Sequence, residues 1–339
     1  DVRLGFDPLE LTIGRVQIVD QGSVLSGSAG VAARPFGWEI NVDAGVDQIA
    51  RDRLLELWPQ GAGAKLRRWL DSKLSGGTLQ NLELAYRARQ GNQTAPYLSF
   101  DFQDASAAIL PGFPPLTGAR GHASLLRDRF VLSLDRGFVK APKGGWVSLK
   151  GSSYIVPDVR LKDNPPALVR LSGSGSITAA LSLLDLPPKA FVTEAGLPVA
   201  LAGGTVALEG VIAFPLQKKP PKGSIKYDLA GTLNGVSSAV LVPGRTLAAQ
   251  RLDIAVSNRQ INITGRGTLD GLPFGATFNQ PLADGEKTAG RVRGNFELSE
   301  RALAALGIAV PPGTMAGGAR ADFDLQLPRG TAPKIALST

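Results

Sequence analysis

Apolar and polar residues alternate along most of this chain. Leu252, Ile254 and Val256 alternate with Asp253, Ala255 and Ser257, and after a polar turn Ile261 and Ile263 alternate with Asn262 and Thr264. Phe274, Ala276 and Phe278 resume the pattern beyond Asp270-Gly271. A period of two broken by Gly, Asn and Asp predicts antiparallel strands with one apolar and one wet face. Residues 1–45 read the same way, with Leu11, Ile13, Val16, Ile18 and Val24, then Trp38, Ile40 and Val42. Strands are also predicted over 78–102, through Phe130, Leu132 and Leu134, over 146–150 and 167–173, through most of 204–296, and over 319–327.

The period changes in a few places. Ile49, Leu54, Leu55 and Trp58 predict an amphipathic helix over 46–58, stopped by Pro59. Leu66, Trp69, Leu70 and Leu74 predict a second over 64–74, ended by Ser75-Gly76-Gly77. Short helices are expected over 176–184, 189–195 and 299–306, the last with Ser299 placed as a cap. The segment 111–115, PGFPP, reads as a rigid connector and 156–166 as a polar loop.

A loose repeat accompanies these changes. SGGTLQNLELAYRA from Ser75, AGGTVALEGVIAFP from Ala202 and AGGARADFDLQLP from Ala316 each place Gly-Gly before an alternating strand. Each follows a helix and a proline break, at Leu57-Trp58-Pro59, Leu186-Pro187-Pro188 and Val310-Pro311-Pro312. The period, roughly 115–130 residues, exceeds that of small solenoids. It divides the chain into segments 1–75, 76–200 and 201–339.

Composition narrows the chemistry. A hydrophobic fraction of 43% against 19% charged is a globular balance, and 41 Gly with 24 Pro suits many turns. There are no cysteines and one histidine, His122, so disulfides, thiol nucleophiles and multi-histidine metal sites are excluded within the chain. His122 has no serine-centred nucleophile motif around it and reads as a surface or strand residue. Gly173-Ser174-Gly175 and Gly265-Arg266-Gly267 lack the residues of a phosphate loop and read as turns or bulges. Asp47, Asp52 and Glu56 interleave with Arg51 and Arg53, which reads as a solvated helix face. Trp58 and Trp69 read as packed side chains, and Lys65, Arg67 and Arg68 as a wet face.

The net charge of +8 favours anionic partners. The densest clusters, 65–68 and 217–222, carry no aromatic RNA-binding motif, so nucleic acid is not expected. No run reaches the roughly 18–20 apolar residues of a membrane-spanning helix. The chain opens without Met or a signal peptide and stops abruptly at Thr339, which suggests a fragment of something longer.

So many one-sided strands must hide their apolar face. Five short helices cannot cover it. The remaining solutions are two facing sheets, a closed barrel, or a curved sheet whose inner face meets something other than protein. Alternation by itself favours the first, with Phe130, Ile254, Ile263 and Phe274 in a dry sandwich core. An aliphatic groove without convergent polar groups suits acyl chains better than a sugar or nucleotide.

An ordered series of stretches resembles the AsmA-like superfamily, in particular the central region of YhdP-type proteins. It comprises Arg68-Trp69-Leu70 with Gly76-Gly77, Pro114-Pro115-Leu116 through Gly118-Ala119-Arg120-Gly121, and residues 130–137 and 184–191. GTLNGV from Gly231, ITGRGTLDGLPF from Ile263 and residues 303–319 complete it, so that it covers nearly the whole chain. No single motif is specific, whereas the order is.

The resemblance implies a mainly β fold: an elongated, curved antiparallel sheet forming an open groove with an apolar interior, plus a few short helices. The segments 1–75, 76–200 and 201–339 would be parts of one continuous groove. Such proteins are anchored in the inner membrane of Gram-negative bacteria, extend through the periplasm, and are implicated in moving phospholipid towards the outer membrane. The resemblance brings no catalytic residues, metal or cofactor, and the anchor is missing from this sequence. The expected groove lining is Phe130, Leu132, Leu134, Ile212, Phe214, Tyr227, Leu229, Ile254, Val256, Ile261, Ile263, Phe274, Phe278, Phe296, Phe323 and Leu325. A second reading is a periplasmic scaffold offering strand edges to outer-membrane proteins during assembly. An enzyme acting on envelope polysaccharide would need a carboxylate pair that has no candidate here.

Overall fold

The computed structural model describes residues 1–58, 64–93, 96–187, 190–217, 219–282, 289–305, 311, 317–328 and 332–338. As expected, the chain is mainly β, with antiparallel pairing throughout the paired strands and a few short helices. It divides into two units, the first made of 1–139, 148–171 and 213–225, the second of 140–147, 172–212 and 226–339.

The first unit begins with β1 (Val2–Phe6), β2 (Leu9–Asp20), β3 (Ser23–Arg34) and β4 (Gly37–Ala50). Helices α1 (Arg51–Leu57) and α2 (Ala64–Lys73) follow, then β5 (Leu74–Ser75). β6 (Thr78–Arg89), β7 (Asn92–Gln93), β8 (Tyr97–Ala107) and β9 (Leu116–Leu126) lead into β10 (Arg129–Lys140). β11 (Trp146–Ser148), β12 (Ser153–Val156) and β13 (Pro166–Ser176) continue the chain. Each hairpin pairs with the next: β1 with β2, β2 with β3, β3 with β4, β4 with β6, β6 with β8, β8 with β9, and β9 with β10. β10 pairs with β12, and β12 with β13.

The first predicted helix is shorter than the sequence suggests. Residues 46–50 stay in β4, because Val46 and Ile49 pair opposite Leu82 and Leu79 of β6. Ile49 is 2% exposed, so its burial in the sheet outweighs the helical spacing it shares with Leu54 and Leu55. Asp47 is accordingly a strand residue whose carboxylate accepts from the Val24 and Gln48 amides. Asp52 and Glu56 pair with Arg51 and Arg53, as a solvated helix face should. Pro59 and the side chains of Lys65, Leu66 and Trp69 lie outside the described residues.

The second unit carries α3 (Ile177–Leu184) and α4 (Phe191–Glu194), the latter a single turn. Then come β14 (Gly203–Pro215), β15 (Lys226–Ser238), β16 (Leu247–Ser257), β17 (Gln260–Leu269) and β18 (Leu272–Pro281). β19 (Gly290–Leu298), α5 (Glu300–Ala305), β20 (Ala319–Leu327) and β21 (Lys334–Ser338) close the chain. From β15 to β21 every strand pairs antiparallel with its successor. Asp270 and Gly271 have φ +49° and +83°, the pattern of a type I′ hairpin turn. Ser176 and Ser299 cap α3 and α5, accepting from the Ala179 and Ala302 amides. Pro188, Lys189, Leu306 and most of 303–319 lie outside the described residues, as does Lys218 of the 217–222 cluster.

Gly173-Ser174-Gly175 and Gly265-Arg266-Gly267 are not turns but stretches of β13 and β17. The bulge expected near Gly265 lies opposite it, where β16 shifts register between Ala248 and Leu252. Two of the three Gly-Gly pairs of the repeat have a steric reason. Gly77 and Gly204 turn the chain into β6 and β14 at φ +99° and +107°. A Cβ at either would come within 2.9 Å of Ala105 Cα or 2.6 Å of Asn234 O.

Helix α3 lies on the sheet. Ile177 packs with Val206, Val236 and Ala249, and Ala180, Leu181, Leu208, Leu233 and Leu252 close round them. The buried Ser182 hydroxyl holds the helix to the 140–147 loop, donating to Lys143 O (3.0 Å) and accepting from its amide (3.3 Å). Ser182→Ala leaves that carbonyl and amide unpaired and is expected to cost about 1–2 kcal/mol. Hydrogen exchange should then quicken at the α3 amides; unchanged protection there would mean that the helix is held by its apolar side alone.

Candidate functional site: the uncovered apolar face

In an antiparallel pair, directly opposed residues share a face, so the register writes out the apolar surface row by row. In the second unit one row runs Gly231, Ile254, Ile263, Phe278, Val292, Leu325, Ile335. A second runs Leu233, Leu252, Gly265, Ala276, Gly294, Phe323, Leu337. Leu229, Val256 and Ile261 form a third. Gly267, Phe274, Phe296 and Ala321 form a fourth. Phe296 and Phe323 meet with centroids 6.3 Å apart. Seven strands at about 4.8 Å make the first rows about 29 Å long. That exceeds the roughly 15 Å occupied by the acyl chains of one bilayer leaflet.

In the first unit, one row joins Ala44, Leu84, Leu98, Leu125, Phe130 and Val156. Its neighbour joins Phe100, Ala123, Leu132, Tyr154 and Val169. Phe102, Gly121 and Leu134 make a third. Phe130 and Tyr154 meet edge to face at 6.3 Å, and burial pushes the Tyr154 phenol above its ordinary pKa, which keeps it neutral. Towards β1 the face continues through Val46, Val42, Ile40, Val31 and Leu11 to Leu4.

Thus the register aligns most of the expected lining residues on apolar rows. Of the four in the first unit, Phe130, Leu132 and Leu134 sit on adjacent rows, and Phe214 lies on β14. In the second unit Ile212 continues the alternation of Val206 and Leu208, and Tyr227 that of Leu229. Val292, Ile335, Leu337, Leu98, Leu125 and Tyr154 share the rows but were not expected there. Val292 could have been found from its alternation with Phe296, which Gly294 interrupts. Tyr154 lies in a four-residue strand too short to show a period.

Burial decides between a dry core and an uncovered face. Leu134 is buried at 8% exposure; the other fifteen expected lining residues are only half-buried. Side chains along a row shade one another, but among the described residues no second layer seals them. The total area agrees: the chain exposes 21,111 Å². Two separate compact bodies, each of half its mass, would expose about 16,000 Å². The sandwich core expected from alternation therefore does not form. In the second unit the exception is the end where α3 covers Leu233 and Leu252.

The opposite face is polar and paired. Arg291 forms a two-pronged pair with Asp324, Arg87 reaches Asp43 at 2.8 Å, and Arg89 and Arg34 both hold Glu39. At the end of β2, on the side of Ile18 and Leu25, Asp20 is gripped by Arg53 of α1 at 2.7 Å. His122 is exposed on β9, its Nδ1 2.9 Å from Asp101, which also accepts from Asn81. These donors hold the carboxyls of Asp20, Glu39, Asp101 and Asp324 below their ordinary values, the Arg53, Arg89, Asn81 and Arg291 hydrogen bonds respectively being the largest cause.

Carboxylates depressed in the folded state contribute stability above their unfolded pKa, near 4, and lose it as pH falls through the lower folded value. The melting temperature should therefore hold from neutral pH to about 5 and drop below about 4. A melting temperature that rises on acidification to pH 3 would contradict the pairing.

Among the described residues no three His, Asp or Glu side chains converge on a metal position, and no helix is long and apolar enough to cross a membrane. Comparisons with protein-family models, with curated proteins and with solved structures find no match.

Proposed function

We propose that this chain is a non-enzymatic, periplasmic segment that shields phospholipid acyl chains along its apolar face as they move between the inner and outer membranes. The observation that carries this reading is the set of half-buried apolar rows that, among the described residues, no second protein layer covers. Each methylene laid on such a row contributes about 0.8 kcal/mol, so a partly engaged tail is already held. Transfer would be passive: rows of Ile, Val, Leu and Phe offer no polar anchor to fix a tail in one place, and headgroups stay in water at the strand ends. The resemblance to AsmA-like proteins supports the same assignment, including attachment to the inner membrane through a segment outside this sequence. Native mass spectrometry with lipid extraction, on the chain isolated from a Gram-negative envelope, should find phospholipid in several copies. A lipid-free chain from that source would overturn the proposal.

One observation favours the scaffold reading as second choice. β1 and β21 each pair on one side only among the described residues, and Phe6 and Ile335 on them are 79% and 63% exposed. An open edge of this kind can accept a strand of an outer-membrane protein. Binding of unfolded β-barrel segments by a lipid-free chain would select it.

A further inference from the structure

Strand ends of the first unit gather three loops at one place. The turn at 127–128 joins β9 to β10, the loop 157–165 joins β12 to β13, and the described residues 216–217 and 219–225 follow the end of β14. The Val159 amide donates to Asp128 O at 2.8 Å, and Arg160 reaches the Asp128 carboxylate at 3.0 Å and that of Asp158 at 3.1 Å. The Leu216 amide donates to Pro165 O at 2.8 Å, which ties on the third loop.

The side chains that these loops present are of two kinds. Leu126, Val159 and Leu161 are 56%, 41% and 48% exposed. Beside them in sequence stand Arg127, Arg129, Arg160 and Lys162, with Lys219 and Lys222 on the third loop. Against these six cations the described loop residues carry three carboxylates, Asp128, Asp158 and Asp163. Arg127 and Asp128 both have positive φ, +48° and +66°, in a two-residue turn where Asn or Gly is the unstrained choice. Alternate aliphatic and cationic side chains on braced loops match a bilayer interface, where the former enter the acyl boundary and the latter meet phosphate. Nucleic acid would call for aromatic stacking platforms, and these loops expose none.

We propose that this rim docks on the surface of an anionic phospholipid bilayer. The inference uses loop residues with the strand-end residues Leu126 and Arg129, and is independent of what occupies the apolar face. Such docking would set the strand ends of the first unit, where the row through Leu125, Phe130 and Val156 terminates, against a lipid source or sink.

The test is flotation of the whole chain with vesicles of neutral phosphatidylcholine, and with vesicles containing one-third phosphatidylglycerol. Binding should require the anionic lipid and weaken at 1 M salt, where the screening length falls to about 3 Å. The variant Arg127→Asn with Lys162→Gln should partition about 25-fold more weakly, at roughly fivefold per cation removed. Asn accepts the turn conformation, so the fold is preserved. Leu126→Ser with Leu161→Ser should weaken binding while leaving its salt dependence in place. Equal affinity for both vesicles, no affinity for either, or undiminished binding by the Arg127/Lys162 variant would overturn the proposal. So would binding to an oligonucleotide or an acidic polypeptide without binding to anionic vesicles. Lipid carried by the Arg127/Lys162 variant, counted by native mass spectrometry, should remain at the wild-type number. Vesicle binding with no carried lipid would instead refute the acyl-chain reading and leave the docking surface standing.

Discussion

Replacing Ile254 and Phe274 together by Asp should strip the chain of co-purifying phospholipid, from several copies to fewer than one. Ile254 stands in the row between Gly231 and Ile263, and Phe274 between Gly267 and Phe296, so the two charges fall on separate rows of one face. Four methylenes laid across such a site contribute about 3 kcal/mol. An ionised carboxylate sealed beneath them loses its water, at an effective cost of several kcal/mol, so the charge outweighs the burial. Both positions are half-exposed without lipid, and an empty variant can hydrate its carboxylates and keep its strands. The far-ultraviolet circular dichroism should therefore be unchanged while the lipid count falls. Retention of lipid by the folded variant would place the acyl chains elsewhere.

Gly121→Val should lower the melting temperature of the first unit by about 6–12 °C. Gly121 is buried on β9 between Phe102 of β8 and Leu134 of β10, in a row where both neighbours are under 9% exposed. A Cβ there would lie 1.9 Å from Ser133 O and 2.9 Å from the Phe102 ring. The first contact is with backbone and cannot be relieved by a rotamer change, so β9 and β10 must separate. Overpacking of this kind costs about 3 kcal/mol. At roughly 2–4 °C per kcal/mol for a unit of this size, the shift is large enough to read by calorimetry. Gly5→Ala, whose Cβ would meet nothing nearer than 3.8 Å, is the control and should melt within about 1 °C of the parent. An unshifted Gly121→Val would mean that the third row is not packed as described.

Much of the fold was legible in the alternation of side chains, because a strand's period of two follows from backbone geometry alone. The turn at Asp270-Gly271 and the cap at Ser299 were legible for the same reason: each is a local preference of φ or of a side-chain oxygen. The helix start was not legible. Val46 and Ile49 fit either period, and the choice fell to Leu82 and Leu79, thirty or more residues away. The glycine stretches at 173–175 and 265–267 were not turns because Gly permits a turn without requiring one, and at 265–267 it is the bulge that occurs, on the opposing β16. Pairing across the sheet keeps both in strand.

By itself, then, the sequence determined which residues share a face on each strand, where most turns fall, and that one face is apolar. It could not determine what that face meets. A dry sandwich and an open sheet demand the same alternation, since both require one apolar face per strand. Only the tertiary structure, through register and burial, showed rows of half-buried Ile, Val, Leu and Phe with no second sheet among the described residues sealing them. It alone placed α3 over Leu233 and Leu252, because the period of a short helix marks its apolar side but not the surface which that side will cover. It also drew Leu126, Val159 and Leu161 to one rim with their cations, which depends on loop-to-loop hydrogen bonds that no local pattern encodes.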